Sequence, residues 1–168
     1  MDEAAFSSYV AARRARLYRT ACLLCGDPHR AEDIVQDALA RLYGAWDRVS
    51  RMDNVDGYVR RIIVNAHYSD RRRPWRRESA AEPREIPLAP GFPVEDADAI
   101  RTALAALPPG QRKVIVLRHL WNLTIEETAA ELGISTGTVK SQNSHALATL
   151  RRELAPSFGA ALGKEGER

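Results

Sequence analysis

The sequence predicts an all-α protein made of two small helical domains joined by a flexible linker. Apolar residues recur every three or four positions in several stretches, and Gly and Pro stand where those stretches stop. A segment rich in Pro, Ala and Glu, without such a period, separates the two groups of helices. We therefore expect a first domain at residues 1–77, the linker at 78–95, a second domain at 96–155 and a short tail at 156–168.

Composition and charge limit the class of protein. The chain has 168 residues, of which 45% are hydrophobic, and this is enough to bury a core. Basic residues outnumber acidic ones in residues 1–77 and 111–168, whereas acidic residues dominate 78–110. Because the sequence has no signal-peptide pattern and no apolar run of about 18 residues, we expect a cytoplasmic protein that does not enter the membrane.

The first helix is predicted near the N-terminus. Its apolar positions are Phe6, Tyr9, Val10, Leu17, Ala21 and Leu24. Gly26, Asp27 and Pro28 then supply a helix stop, an N-cap and a first-turn proline. Cys22 and Cys25 have the C-x-x-C spacing of a redox or half-zinc site, but the apolar residues around them favour ordinary buried positions in the helix.

The second helix, "HRAEDIVQDALARLYGAW", is amphipathic. Its apolar stripe consists of Ile34, Val35, Ala38, Leu39, Leu42, Tyr43 and Trp46. Its polar positions include Asp33, Gln36, Asp37 and Arg41. Periodicity alone predicts only that these polar positions form an ordinary solvent-exposed face.

A third helix is predicted from about Asp56 to Arg73, before Pro74. The expected buried face contains Val59, Ile62, Ile63 and Ala66. The opposite stripe contains Tyr58, Arg61, Asn65, Tyr68 and Arg72. Rings can stack on unpaired bases, arginines can bind phosphates and an amide can read a base edge, so this stripe favours nucleic-acid contact over a merely solvated arginine-rich face.

The next two helices are short. Ile100, Leu104 and Leu107 mark a helix that ends at Pro108, and "GQRKVIVLRHLW" predicts another. The inward positions of the helix "GQRKVIVLRHLW" are Val114, Leu117 and either Leu120 or Trp121.

The last two helices have the pattern of a helix-turn-helix. Thr124 and Glu127 form a capping box, and Ser135 can cap the final helix, "TGTVKSQNSHALATLRREL". Small Ala129, turn Gly133 and buried Val139 have the spacing that the motif needs. A simple αα-hairpin is the alternative interpretation, but Lys140, Arg151 and Arg152 could bind phosphates if the last helix enters a major groove.

Three segments together resemble the extracytoplasmic-function sigma factors of bacterial RNA polymerase, from about residue 5 to 154. "AEDIVQDALARLY" is similar to regions 2.1 and 2.2, "GYVRRIIVNAHYSDRRR" to region 2.4, and "LPPGQRKVIVLRHLWNLTIEETAAELGISTGTVKS" to region 4. The resemblance implies a protein without catalytic activity or cofactor that binds core polymerase, recognises −10 and −35 promoter elements and promotes DNA melting. It also implies control by an anti-sigma factor.

The resemblance assigns roles to specific residues. Those implied to bind core polymerase are Asp33, Gln36, Asp37 and Arg41. Those implied to bind the −10 element are Tyr58, Arg61, Asn65, Tyr68 and Arg72, with the loop 48–54 shaping a pocket for a flipped-out base. Those implied to bind the −35 duplex are Thr138, Lys140, Ser141, Gln142 and His145.

The chain departs from the family pattern at some of these positions. Many relatives carry Trp at the place of Tyr58, and arginines at the places of Gln142 and His145; Asn143 occupies a face that is usually apolar. A stand-alone DNA-binding regulator, in which only residues 111–154 touch DNA, is the alternative function. The aromatic and arginine stripe around Asn65 favours the sigma factor, and the lack of any P-loop, H-E-x-x-H or G-x-S-x-G motif disfavours an enzyme.

Overall fold

The structure is a computed structural model that describes the backbone of residues 2–71 and 94–162, and the side chains of 2–66 and 97–156. Within these ranges the regular structure is entirely helical, which confirms the predicted fold class. The chain divides into two compact units, Met1–Ile86 and Pro87–Arg168. Most of the predicted linker and the end of the predicted tail lie outside the described residues.

The described part of unit 1, residues 2–71, contains three mutually packed helices. They are α1 (Glu3–Cys25), α2 (Pro28–Val49) and α3 (Val55–Arg71). The predicted stop between α1 and α2 is confirmed: Gly26 has a left-handed backbone with φ of 73°, and the Asp27 side chain accepts a hydrogen bond from the His29 amide at 2.9 Å. Pro28 opens α2, where a missing N–H costs nothing.

The core of unit 1 is aliphatic. Its fully buried residues include Leu17, Leu24, Val35, Leu42, Val59 and Ile63. Because α3 contacts both α1 and α2, its buried face is wider than the predicted stripe: Val64 and Arg60 are also buried, whereas Ile62 is only half-buried.

Unit 2 contains four α-helices and one π-helical turn among its described residues. The helices are α4 (Val94–Ala106), α5 (Pro109–Ile115), α6 (Ile125–Leu132) and α7 (Thr136–Leu162), with the π turn at Val116–Leu120. The wider turn brings Trp121 into the core, with 6% of its surface exposed, while Leu120 stays half-buried. This settles the choice between the two residues.

Two helix boundaries differ from the sequence prediction. Helix α4 begins at Val94, within the segment predicted as linker. Helix α7 continues through Pro156 to Leu162, beyond the predicted end at Leu154, although the proline removes one backbone donor. None of the helices among the described residues has the length and apolarity needed to cross a membrane.

Candidate nucleic-acid interface

The polar face of α2 is open to solvent. Asp33, Gln36, Asp37 and Arg41 are all exposed. An ion pair of 2.9 Å joins Arg41 to Asp37 one turn earlier, and Gln36 Nε2 donates to Glu32 Oε1 at 3.3 Å. Exposed pairs of this kind contribute only about 0.3–0.5 kcal/mol. A partner could therefore rearrange these side chains at little cost.

Tyr43, a member of the predicted apolar stripe, also belongs to the accessible surface of α2. The side chain is 44% exposed, whereas Trp46 is buried. The ring of Phe6 from α1 packs edge-on against both aromatic rings, at 5.1 Å from Tyr43 and 5.3 Å from Trp46. Phe6 thus covers the tryptophan and leaves the tyrosine at the rim.

The outward face of α3 carries the predicted ring, guanidinium and amide. Arg61 and Asn65 are exposed, and Tyr58 is half-buried. Tyr68 lies in the last part of α3, but its side chain and the whole of Arg72 are outside the described residues. The structure therefore brings together Tyr58, Arg61 and Asn65 on one side of the helix.

The last turn of α2 and the loop that follows it contribute contacts that the sequence did not assign individually. The Arg48 guanidinium lies over the Tyr58 ring, 5.9 Å from its centre, a cation–π distance. Asn54 Oδ1 accepts a hydrogen bond of 2.7 Å from the Gly57 amide in the first turn of α3. A Cβ atom at position 57 would lie 2.6 Å from Asn54 Nδ2, so any other residue there would displace the Asn54 side chain from this position.

The first turn of α3 is also attached to α1, which sequence reasoning missed. The Tyr9 hydroxyl donates to Asp56 Oδ1 at 2.8 Å, and Arg13 Nε lies 3.2 Å from the same oxygen. Burial and the adjacent carboxylate raise the pKa of Tyr9 well above its usual range. The hydroxyl therefore stays protonated and acts as a donor.

The helix-turn-helix prediction for unit 2 is confirmed. Thr124 Oγ1 accepts from the Glu127 amide at 3.1 Å, and the Glu127 carboxylate accepts from the Thr124 amide at 2.7 Å, which completes the capping box. Gly133 adopts the left-handed region with φ of 65°. Ala129 and Val139 pack together with Val114 of α5.

The exposed surface of α7 contains most of the residues predicted to contact duplex DNA. Thr138, Lys140, Ser141 and His145 are exposed. At about 100° per residue, Thr138, Ser141 and His145 share one edge of the helix, while Lys140 lies on the opposite side. Ser135 Oγ accepts from the Thr138 amide at 3.1 Å and hydrogen-bonds its hydroxyl at 2.9 Å, so the cap also orients that side chain.

Gln142 is half-buried rather than fully presented to solvent. Its side-chain amide packs against the start of α5, where Gln142 Nε2 lies only 3.0 Å from the position that a Cβ atom on Gly110 would occupy. Gln142 Oε1 is buried and has no hydrogen-bond partner among the described residues. Asn143 does have one, since its Oδ1 lies 3.3 Å from Nε2 of His119 in the π turn.

The two cysteines have the character of helix residues. Cys22 is fully buried, as the helical interpretation predicts, and the half-buried Cys25 donates its thiol hydrogen to the Asp27 carbonyl at 3.2 Å. Burial raises the pKa of both thiols, that of Cys22 to about 12. Within the described part of the chain, no three His, Cys, Asp or Glu residues are grouped so as to hold a metal ion.

Comparison with known families matches both units. The family described as Sigma-70 region 2 matches residues 9–77, and the family described as Sigma-70, region 4 matches residues 97–150. The chain is 40% identical over 156 residues to an RNA polymerase sigma-E factor of Streptomyces coelicolor, covering 89% of this chain and 85% of the relative. It is 32% identical over 160 residues to the ECF RNA polymerase sigma factor SigM of Mycobacterium tuberculosis, covering 91% and 79% respectively.

A solved structure has a similar fold over nearly the whole chain. It is the sigma factor RpoE of Bartonella quintana in complex with the anti-sigma factor NepR. The TM-score is 0.74 at 27% identity, over 89% of this chain and 96% of that one.

Proposed function

The chain belongs to the extracytoplasmic-function sigma factors of bacterial RNA polymerase, and we propose which of its surfaces bind core polymerase, the −10 element and the −35 element. A sigma factor binds core polymerase, recognises −10 and −35 promoter elements and promotes DNA melting, and these are the functions of this chain. It is an initiation factor acting in the cytoplasm beside the polymerase, and it leaves phosphoryl transfer to the core enzyme. The exposed Arg61 and Asn65 beside the Tyr58 ring carry the proposal.

In this division, residues 1–77 bind the polymerase and the −10 element. The polar face of α2, formed by Asp33, Gln36, Asp37 and Arg41, contacts core polymerase. Its side chains are exposed and joined only by surface interactions, so they can exchange partners readily. The aromatic rim at Tyr43 adds apolar area, which charged residues alone do not supply.

The outward face of α3 captures the melted −10 strand. Tyr58 offers a ring for stacking, Arg61 a charge for phosphate, and Asn65 an amide with two donors and an acceptor for a base edge. Tyr68 and Arg72 extend the same stripe by their sequence positions. Taking a base out of the stack costs a few kcal/mol, and a site that binds the extruded base offsets this cost.

Residues 96–155 bind the −35 duplex through α7. Thr138, Ser141 and His145 lie on one edge of the helix and contact base edges or phosphates, while Lys140 reaches a phosphate on the other side. Gln142 contacts the duplex after its side-chain amide moves away from Gly110. This movement exposes Oε1, which is buried and has no hydrogen-bond partner among the described residues. The linker at 78–95 connects the two DNA-binding domains.

An anti-sigma factor is the proposed regulatory partner. The similar structure from Bartonella quintana contains an anti-sigma factor, which supports the same kind of control here. A regulator that covers the polar face of α2 prevents polymerase binding without unfolding the chain. Co-purification that recovered polymerase alone, under conditions that keep the protein inactive, would contradict this assignment.

The polymerase assignment is tested by co-elution of the full chain with bacterial core polymerase. The double variant Asp33→Ala and Gln36→Ala should weaken co-elution. Asp98→Asn is the control, because it removes an exposed, ion-paired carboxylate from unit 2. Equal weakening by the control, or none by the double variant, would refute the α2 assignment.

The −10 assignment is tested at Asn65. Asn65→Ala should reduce open-complex formation while leaving the affinity for core polymerase unchanged. Asn65→Asp keeps the shape but adds a negative charge beside DNA, so it should be at least as defective. An equal fall in core affinity and open-complex formation would show that Asn65 does not act in a base site.

A further inference from the structure

The attachment between α1 and α3 converges on one carboxylate oxygen. Tyr9 and Arg13 are one helical turn apart on α1, and both reach Asp56 Oδ1, at 2.8 Å and 3.2 Å. Asp56 lies in the first turn of α3. Two donors from α1 therefore contact the same carboxylate oxygen near the start of α3.

Two further arginines surround this point. Arg60 follows Asp56 by one turn of α3 and is only 4% exposed. Arg16 is half-buried one turn beyond Arg13, and burial lowers its pKa while the Asp56 carboxylate opposes that effect. We call these residues the α1–α3 seam: Tyr9, Arg13, Arg16, Asp56 and Arg60.

The seam and the proposed single-strand surface lie on different sides of α3. At about 100° per residue, Arg61 and Asn65 point roughly 100° to 180° away from Asp56 and Arg60. A side-chain atom about 6 Å from a helix axis moves about 1 Å when the helix rotates by about 10°. Rotation of α3 at the seam is thus transmitted directly to the residues that face DNA.

Apolar packing sets which face of α3 points inward, but it fixes the rotation only to within the width of the buried stripe. Val59 and Ile63 anchor α3 in the core, but burial of apolar area has little directional preference. Hydrogen bonds have angular requirements, and those to a charged group are stronger than neutral ones. The Asp56 contacts are therefore a directional element that orients the first turn of α3 against α1.

We propose that Tyr9, Arg13 and Asp56 are positioning residues that set the rotation of α3 and so determine how selectively the protein binds the bases of the single-stranded −10 element. The inference rests on the proposed function of the outward face of α3. It assigns to α1 a role in promoter selectivity although these residues need not touch the base that is read.

The test measures a selectivity ratio with the full chain assembled on excess core polymerase. The probes are the single strand that wild-type protein enriches most from a random-sequence DNA pool and the same strand with one base replaced at a time. A partly unfolded variant weakens binding to every strand by the same factor, which leaves the ratio of affinities unchanged. A rotated binding surface lowers the ratio itself.

Tyr9→Phe removes the hydroxyl and keeps the ring that packs 5.7 Å from Trp46. Arg13→Gln removes the second contact, and its matched control is Arg14→Gln, since Arg14 is also an arginine of α1 with similar exposure but pairs with Glu32 of α2. We expect the first two variants to lower selectivity by about fivefold, less than the about hundredfold that a 1 Å misplacement can cost in the rate of a catalysed reaction, while the control keeps the wild-type ratio.

Each other outcome overturns the inference. Equal weakening on all strands would make the seam purely structural, wild-type affinities for all strands in Tyr9→Phe and Arg13→Gln would make it dispensable, and an equal loss of selectivity in Arg14→Gln would reduce the effect to charge. If wild-type protein itself showed no preference among single strands, the −10 assignment of α3 would fail first, and the seam would have no selectivity to set.

Discussion

Arg112 fastens the end of α4 to the start of α5, and its removal should destabilise unit 2. Its Nε donates to the Leu104 carbonyl at 2.8 Å, and Nη2 donates to those of Ala105 at 2.8 Å and Leu107 at 3.0 Å. One guanidinium thus satisfies three carbonyls where α4 ends. The positive charge also lies at the negative end of the helix dipole.

The magnitude follows from these three bonds. Hydrogen bonds from a charged donor contribute about 1.5–3 kcal/mol each. Two of the three are partly buried and the third is exposed, and water can reach the carbonyls that a truncation uncovers. We therefore expect Arg112→Ala to cost about 2 kcal/mol, which lowers the melting temperature of a domain of this size by about 8–16 °C.

Hydrogen exchange read peptide by peptide is the appropriate assay, because it locates the loss within the chain. Exchange should accelerate throughout unit 2 in Arg112→Ala and stay at wild-type rates in unit 1. Arg101→Ala is the control, since the exposed Arg101–Asp98 pair at 3.2 Å is worth only about 0.3 kcal/mol. Arg112→Lys should be intermediate, as an ammonium cannot reproduce the fork of the guanidinium.

A loss in Arg112→Ala no larger than that in Arg101→Ala would refute the reasoning. Wild-type stability in Arg112→Lys would instead show that the charge at the end of α4 suffices and that the three directed bonds are unimportant. Acceleration spread equally over both units would indicate that the substitution acts elsewhere.

Three further predictions concern other surfaces. Lys140→Ala should weaken duplex binding for all sequences alike and reduce the slope of log affinity against log salt by about 0.9, measured by titration at several salt concentrations; an unchanged slope would exclude a phosphate contact. Gly44→Ala should stabilise α2 by about 0.5–1 kcal/mol in thermal unfolding, because the added Cβ would meet no described atom within 4 Å apart from the adjacent backbone of its own helix, and a destabilised variant would contradict this. Folding raises the pKa of the Cys22 thiol to about 12, so the stability that the buried thiol contributes should be fully present below its unfolded pKa and be lost as pH rises through about 12. Alkylation of Cys22 at neutral pH should be slow until the chain is unfolded, and rapid alkylation of the native protein there would refute its burial.

The helix ends at Gly26, Thr124 and Gly133 could be predicted from sequence because their signals are local. The turn at Gly26 and the capping box of Thr124 and Glu127 depend on residues no more than a few positions apart. The same is true of the left-handed Gly133 between α6 and α7. Such positions satisfy backbone groups within one turn, so neighbouring residues suffice to identify them.

The contacts that orient the helices could not be predicted in this way. Tyr9 and Asp56 are 47 residues apart, and His119 and Asn143 are 24 apart. Periodicity identified the apolar stripe of α2 but could not tell that Phe6 would cover Trp46 and leave Tyr43 exposed. These outcomes depend on which element packs on each face, and a helical pattern carries no information about its neighbour.

Both proposed DNA-binding helices are held mainly by residues different from those that face DNA, Gln142 being the exception. Helix α3 is gripped at Asp56 on its inward side, and α7 is anchored by Val139 in the core and by the Asn143 contact with His119. Under the proposed function, substitutions on the outward faces should therefore change the preferred bases without destabilising the fold. Substitutions at the holding contacts should keep the DNA-contacting side chains and change only their positions. Selectivity should consequently depend on two separable sets of residues in each domain, and the α1–α3 seam is the place where that separation can be measured first.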